Sequence, residues 1–143
     1  MPHADLAALL EHAERAFGAR EAVVEGAQRW TYGELGARVR ARAAHWHALG
    51  LRPGARVAIL EHNTSAFLEG YFAAAWLGAV LTPLNVRLAP PELAAILVDS
   101  GAALLVAGRE FEGLVAGLRV PATPVRHVLW SDEETSGLTC APE

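Results

Sequence analysis

The sequence predicts an α/β fold with a layered, mainly parallel sheet and flanking helices, preceded by an N-terminal helix and a β-hairpin. Two observations lead to this prediction. From residue 56 onward, short apolar runs of strand length alternate with segments of helical length, which is typical of right-handed βαβ units. Before residue 56, the apolar residues follow helical spacing, interrupted by one hairpin pattern. We expect one globular domain over residues 1–130 and a loose, polar tail over residues 131–143.

The first part of the chain carries signals for two helices and a hairpin. An apolar series at helical spacing follows a potential N-cap at Asp5 and comprises Leu6, Leu9, Leu10, Ala13 and Phe17. Apolar segments on either side of Glu25-Gly26-Ala27 predict the hairpin. Thr31 and Glu34 have capping-box spacing, so a second helix should start there and end at Gly50.

The second part of the chain contains the repeated strand and helix signals. Strands are predicted over residues 57–60, 80–84, 104–106 and 127–130, and helices over residues 63–77, 90–100 and 110–118. The helix at residue 90 begins with two prolines, which are well tolerated in a first turn.

The composition argues against a disordered, nucleic-acid-binding, secreted or membrane-spanning protein. The 143 residues are 52% hydrophobic and 20% charged with a net charge of −4, so we expect a folded domain without affinity for nucleic acid. The amino-terminal residues lack a signal-peptide pattern, and a lone cysteine, Cys140, cannot form an internal disulfide, which favours the cytoplasm. The uncharged run over residues 70–86 is short for a membrane span and contains Gly78 and Pro83. We therefore expect no membrane crossing.

Several segments, in order, resemble one enzyme superfamily. Residues 30–35, W-T-Y-G-E-L, resemble the T-Y-x-E-L entry of the acyl- and aryl-CoA ligase, adenylation-domain and luciferase superfamily. Residues 50–60 are similar to its G-x-x-x-G-D-R-V-A-I-x segment, and shorter matches continue to Gly101. The ordered series over residues 20–107 carries the resemblance. It implies that residues 1–130 are part of the N-terminal domain of an AMP-forming ligase similar to long-chain fatty-acid–CoA ligases.

The resemblance implies a reaction and its cofactors. Family members use ATP and Mg to convert a carboxylate to an acyl-adenylate, and then transfer the acyl group to CoA. They do so with a phosphate loop T-S-G-T-T-G-x-P-K, a Y-G-x-T-E segment, an acidic ribose ligand and a C-terminal lysine. All twelve basic side chains of this chain are arginine, and it has no Y-G-x-T-E segment. We therefore expect a fragment of such a ligase that is inactive by itself and binds none of these cofactors tightly.

Alternative functions follow from the same residues. The chain could be one part of a split ligase, with a partner chain that carries the remainder. It could instead be a non-catalytic interaction or dimerisation module that forms a homo-oligomer, or a small domain that binds CoA or a nucleotide.

The tail carries a degenerate form of the family's phosphate loop. Residues 135–143 match it at Thr135, Ser136, Gly137, Thr139 and Pro142. Three departures weaken the match: Leu138 replaces a hydroxyl, Cys140 replaces a glycine and Glu143 stands where the loop has its lysine. A decayed phosphate loop and a chance similarity both remain open.

Arg87 is the remaining candidate for cofactor binding. It lies in a predicted loop after a strand, where some CoA ligases that this chain resembles place a basic residue against the CoA phosphates. A bidentate guanidinium suits phosphate, although a solvated surface arginine fits the same pattern.

Other chemically active side chains receive structural interpretations. His45 and His47 are two apart in a predicted helix and therefore on different faces, so a shared metal is not expected. His62 is interpreted as a polar residue near a helix cap. The aromatic series Tyr71, Phe72 and Trp76 is interpreted as core packing, and Cys140 as a cysteine without a nucleophilic role.

Overall fold

The structure is a computed structural model that describes residues 5–136, with side chains described as far as Glu134. Its helices are α1 (Leu6–Phe17), α2 (Tyr32–Ala48), α3 (Ser65–Leu77), α4 (Pro90–Ser100), α5 (Glu112–Gly117) and α6 (Ser131–Ser136). Its strands are β1 (Glu21–Glu25), β2 (Gln28–Thr31), β3 (Arg56–Leu60), β4 (Val80–Pro83), β5 (Leu104–Ala107) and β6 (His127–Trp130). The α/β class is confirmed.

The main sheet contains four parallel strands in the order β4-β3-β5-β6. Val57 in β3 lies opposite Leu81 in β4 and Leu104 in β5, so all the carboxyl ends meet at one edge of the sheet. β1 and β2 form the separate antiparallel hairpin, and its turn includes Gly26 at φ +59°, a conformation that glycine adopts without strain. Both the parallel sheet and the preceding helix and hairpin agree with the sequence prediction.

The capping signals operate as predicted. The Asp5 carboxylate accepts a hydrogen bond from the Ala8 N–H at 2.8 Å and caps α1. At the start of α2, the Thr31 hydroxyl accepts from the Glu34 N–H at 3.2 Å, and the Glu34 carboxylate accepts from the Thr31 N–H at 2.7 Å. This reciprocal arrangement satisfies two backbone donors at once and fixes the first turn of α2.

Two helical layers cover the sheet on its opposite faces. Side chains alternate along each strand, so Val57 and Ile59 of β3 pack towards α1, α2 and α3, which we call the α2 face. Ala58 and Leu60 point the other way, towards α4 and α5, which we call the α4 face. All four side chains are fully buried, as expected for strands covered on both sides.

The structure departs from the sequence prediction in two segments. The helix expected over residues 110–118 is a 3₁₀ turn at Arg109–Phe111 followed by the shorter α5, a segment weakened by Gly113 and Gly117. In addition, residues 131–136, which the sequence assigns to the polar tail, continue directly from β6 as α6. Over residues 5–136, the helices lack the combination of length and apolar composition that crossing a bilayer requires.

Candidate functional site

The candidate site lies at the carboxyl edge of the parallel sheet, where α/β proteins commonly bind ligands. An open cavity of about 420 Å³ lies there between the ends of β3 and β6, the hairpin and the start of α3. We call it the edge cleft. It is lined by Glu25, Gln28, Trp30, Arg38, Glu61, Thr64, Ser65, Ala66, Ser131 and Asp132.

Glu61 is the residue that follows β3, and its buried carboxylate accepts two hydrogen bonds. It accepts hydrogen bonds from the Ser131 hydroxyl at 2.5 Å and from the His62 N–H at 2.9 Å. Gly108, just after β5, provides the space for it, because a Cβ built at this glycine would come within 2.8 Å of both carboxylate oxygens. Glu61 therefore links the end of β3 to Ser131 at the end of β6, and lies against Gly108 at the end of β5.

Arg38 of α2 provides the basic side chain of the edge cleft. Its guanidinium lies over the Trp30 ring at 4.9 Å, a cation–π arrangement, and its Nε donates to Glu69 Oε1 at 2.6 Å. Its two terminal nitrogens make no hydrogen bond with the residues that the structure describes. The residue is only 9% exposed, so these donors face the cleft from a largely buried position.

Behind Arg38, a buried ionic network connects α2, α3 and α6. Glu69 of α3 accepts from Arg38 and, at 2.9 Å, from Arg42 Nη2. Arg42 Nη1 donates to Glu134 of α6, and Trp46 Nε1 donates to the same carboxylate at 2.7 Å. Two arginines and two glutamates are thus paired inside the α2 face, which offsets part of their desolvation cost.

The pKa of the Glu134 carboxyl lies above its ordinary value. Burial raises the pKa of this carboxyl, and the nearby Glu69 acts in the same direction. Arg42, the Trp46 indole and His45 oppose the rise in the pKa, since they stabilise the carboxylate. Removal from water is the largest of these effects.

The start of α3 already has an anionic partner within the protein. The Glu25 carboxylate of the hairpin accepts from the Ser65 N–H, and the Thr64 hydroxyl accepts from the Phe67 N–H at 3.4 Å. These contacts occupy two of the backbone donors that would otherwise attract an anion to a helix N-terminus.

The predicted cofactor-binding residues do not come together among the described residues. Arg87 lies in the loop between β4 and α4, is exposed, and its N–H donates to Asn85 Oδ1 at 3.0 Å. Its guanidinium has no ion-pair partner within residues 5–136, and it is not part of the edge cleft. Thr135 and Ser136 end α6, where only the backbone is described. Gly137 and Thr139 lie outside the described residues, as do the other positions of the predicted loop.

The remaining side chains from the sequence analysis take structural positions. His62 packs its ring against Phe111 at 5.0 Å between centroids, and its Nε2 lies 3.6 Å from a Glu110 oxygen. Phe72 and Trp76 pack against the core of the α2 face as predicted, whereas Tyr71 is on the surface. Within the described part of the chain, histidine, cysteine and acidic side chains form no group of three suited to a metal ion.

Sequence reasoning missed the ionic network, although two of its members carried a signal. Arg38 and Arg42 are four residues apart, which places both on one face of α2. Glu69 is the single charged residue of the apolar helix α3. A carboxylate in such a helix requires a buried partner, and the paired arginines were the available donors. Glu134 gave no such signal, because it lies in a run of acidic residues.

Comparisons with known proteins agree on one family. The AMP-binding enzyme family model matches residues 10–140. A feruloyl-CoA synthase from Amycolatopsis sp. is 47% identical over 107 residues, which cover 71% of this chain and 22% of the relative. A long-chain-fatty-acid–CoA ligase from Thermus thermophilus is 36% identical over 129 residues, which cover 87% of this chain and 24% of the relative.

Solved structures show the same architecture. A Mycobacterium tuberculosis fatty acyl CoA synthetase superposes with a TM-score of 0.87 at 32% identity, over 94% of this chain and 28% of that structure. The chain thus spans about a quarter of the length of the relatives it matches.

Proposed function

The chain belongs to the AMP-binding enzyme family, and on that premise we propose that it forms the first part of the N-terminal scaffold of an ATP-dependent carboxylate–CoA ligase. The complete ligase would activate a fatty or aromatic carboxylic acid as an acyl-adenylate and transfer the acyl group to CoA. The observation that supports this most directly is the match over 71–87% of the chain to relatives named as CoA ligases and synthases. The parallel sheet supplies the rigid frame on which such a site is built.

We also propose that the 143-residue chain does not form an acyl-adenylate by itself. Joining two anions requires cationic groups at the phosphates. Family members use lysines for this purpose, in the phosphate loop and near the C-terminus, and the chain contains no lysine. In the edge cleft, three carboxylates, those of Glu25, Glu61 and Asp132, accompany the single arginine, Arg38, whose charge is already paired with Glu69. A triphosphate with Mg would meet a net negative surface there.

Arg87 is the residue that we propose for CoA. Its exposed guanidinium lies on the carboxyl-edge side of the sheet, in the loop that follows β4, and has no ion-pair partner among the described residues. It is therefore available for a bidentate contact with a phosphate, the interaction for which arginine is best suited. The phosphate-loop-like residues Thr135, Ser136, Gly137 and Thr139 stay a prediction for ATP.

The decisive experiment replaces the corresponding segment of the Mycobacterium tuberculosis fatty acyl CoA synthetase with this chain. The chimera should release pyrophosphate with ATP and a fatty acid and form acyl-CoA, whereas the 143-residue chain alone should do neither. A chimera that is folded by circular dichroism and elutes at its expected size, yet forms no acyl-adenylate, would contradict the scaffold proposal. Clear turnover by the isolated chain would contradict its inactivity.

The role of Arg87 is tested in the same chimera. Arg87→Ala should raise the KM for CoA about tenfold or more, as expected for the loss of a charge-assisted contact, and leave pyrophosphate release in the absence of CoA unchanged. Arg119→Ala, which removes another arginine from a loop, is the matched control. Equal CoA dependence in both variants would exclude Arg87 from the CoA site.

A second candidate function, self-association, rests on one exposed apolar surface. A cavity of about 530 Å³ lies between the hairpin and α3, next to the exposed side chains of Val24, Leu68 and Tyr71. Apolar patches of this kind promote association. Light scattering over a concentration series should detect dimers, and a monomer at all concentrations would eliminate this candidate.

A further inference from the structure

Helix α6 is docked almost entirely by polar contacts. Its six residues, Ser131 to Ser136, have the sequence S-D-E-E-T-S and contain no large apolar side chain. A helix of this length is not stable in isolation, because nucleation costs more than a single turn returns. Its position must therefore come from a few specific contacts with the rest of the protein.

Two of those contacts are buried, and they are made by the first and the fourth residue of α6. At the first residue, the Ser131 hydroxyl donates to Glu61 Oε2 at 2.5 Å. At the fourth residue, Glu134 accepts from Arg42 and from the Trp46 indole. Ser131 is 5% exposed and Glu134 8% exposed, whereas Asp132 and Glu133 between them face solvent and interact with Arg109.

The groups that bind Glu134 lie on α2 and are also held by the rest of the protein. Arg42 keeps its second partner, Glu69, whether or not Glu134 is in place, and Glu69 also holds Arg38. His45 Nδ1 lies 3.7 Å from the Glu134 carboxylate at the rim, with its side chain 46% exposed. Arg42, His45, Trp46 and Glu69 are thus the polar and charged groups that face Glu134 from the helices packed against it.

Docking of α6 also shapes the edge cleft. Ser131 and Asp132 form part of its lining, beside Glu61 and Arg38. The two buried residues of α6 therefore connect to the cleft separately. Ser131 contacts Glu61, and Glu134 is linked to Arg38 through Arg42 and Glu69.

We propose that α6 is a conformational latch: it detaches and re-docks, and so opens and closes one wall of the edge cleft, while the rest of the fold stays intact. Glu134 anchors α6 in the docked state through its contacts with Arg42 and Trp46. Local opening of this kind is expected where few apolar contacts hold an element. The latch goes beyond the proposed ligase scaffold and does not depend on which reaction that scaffold serves.

Native-state hydrogen exchange of the 143-residue chain tests the latch. The observed protons are the Trp46 indole N–H, which Glu134 holds, and the backbone amides of β3. In low concentrations of urea, the indole proton should exchange at a rate independent of urea, which indicates local opening, while the β3 amides follow global unfolding. If the indole proton and the β3 amides respond to urea in parallel, α6 opens only with the whole protein and the proposal is wrong.

A pair of substitutions on the same helix isolates the anchor. Glu134→Leu should accelerate exchange of the α6 amides about tenfold or more relative to the β3 amides, as expected from the loss of a charged hydrogen-bond partner. Glu133→Gln weakens an exposed ion pair with Arg109, and because exposed pairs contribute little it should change this ratio less than about twofold. Equal ratios in the two variants would overturn the role of Glu134. Should Glu134→Leu fail to fold, the wild-type urea dependence alone decides the question.

Discussion

The two faces of the parallel sheet are buried to a similar degree but held together by different forces. On the α4 face, the buried side chains from β3, β5, α4 and α5 are all apolar, as exemplified by Leu60, Leu97 and Leu105. On the α2 face, an apolar core of similar extent surrounds the buried charges of Arg38, Arg42, Glu69 and Glu134.

The difference predicts which substitutions each face tolerates. Apolar packing depends on volume and shape, so the α4 face should tolerate changes that conserve both. Buried ion pairs contribute little net stability, but removal of one partner leaves an uncompensated charge. The α2 face should therefore tolerate fewer substitutions than the α4 face, and the raised pKa of Glu134 leads us to expect that its stability depends on pH.

The largest expected effect comes from removing the central carboxylate of the α2 face. Glu69→Ala leaves Arg38 without an ion pair and Arg42 with one partner instead of two. It should lower the free energy of unfolding by about 3–5 kcal/mol, as for other broken buried pairs. Urea denaturation at pH 7 measures the change.

An exposed pair provides the control for this substitution. Glu21 and Arg29 form an ion pair at 2.7 Å on the hairpin surface, with side chains 48% and 61% exposed. Glu21→Ala should cost less than about 1 kcal/mol. If the two substitutions have equal effects, the contrast between buried and exposed charge does not hold in this protein.

The α4 face should respond to volume and not to pH. Leu97 is fully buried there, so Leu97→Ala should cost about 2–5 kcal/mol, whereas Leu97→Met, which conserves volume, should cost less than about 1.5 kcal/mol. Both costs should be the same at pH 5 and pH 8, because the described buried residues of this face carry no titratable group. A cost that changes with pH would show that charge reaches the α4 face.

A smaller effect should reveal the pH dependence of the α2 face. Burial raises the pKa of Glu134 above its ordinary value of 4.5, so the folded state binds this proton more tightly than the unfolded state does. The contribution of Glu134 to stability is therefore greatest below pH 4.5 and is lost as the pH rises through the raised pKa.

The measurement compares wild type with Glu134→Gln, which cannot titrate. The wild-type free energy of unfolding minus that of the variant should fall by up to about 1.4 kcal/mol per pH unit between pH 4.5 and the raised pKa of Glu134, and should be constant above that pKa. A wild-type advantage that increases with pH would mean that Arg42 outweighs the effect of burial.

The sequence predicted the architecture better than it predicted the site. The bounds of α4 and β6 follow from local signals, namely two prolines at a helix start and an apolar run of four residues, and both agree with the structure. Such signals depend on neighbours in the chain, which the sequence displays directly.

The ionic network depends instead on contacts between distant residues. Arg42 and Glu134 are 92 positions apart, and an acidic run with Glu134 in it has the composition of a solvated tail. Only the fold shows that one carboxylate of this run turns inward while Asp132 and Glu133 face solvent. The edge cleft was missed for the same reason, since its lining comes from five separate segments.

The close approach of Gly108 to Glu61 has a consequence for how these positions can evolve. A side chain at position 108 would require the Glu61 carboxylate to move. Because that carboxylate is buried and bonded to Ser131, we expect the substitution to be harmful in the present background. Once residue 61 has been shortened, the same substitution should become acceptable. We therefore expect the two positions to be epistatic, so that the order in which mutations arise would determine which sequences this edge of the sheet can reach.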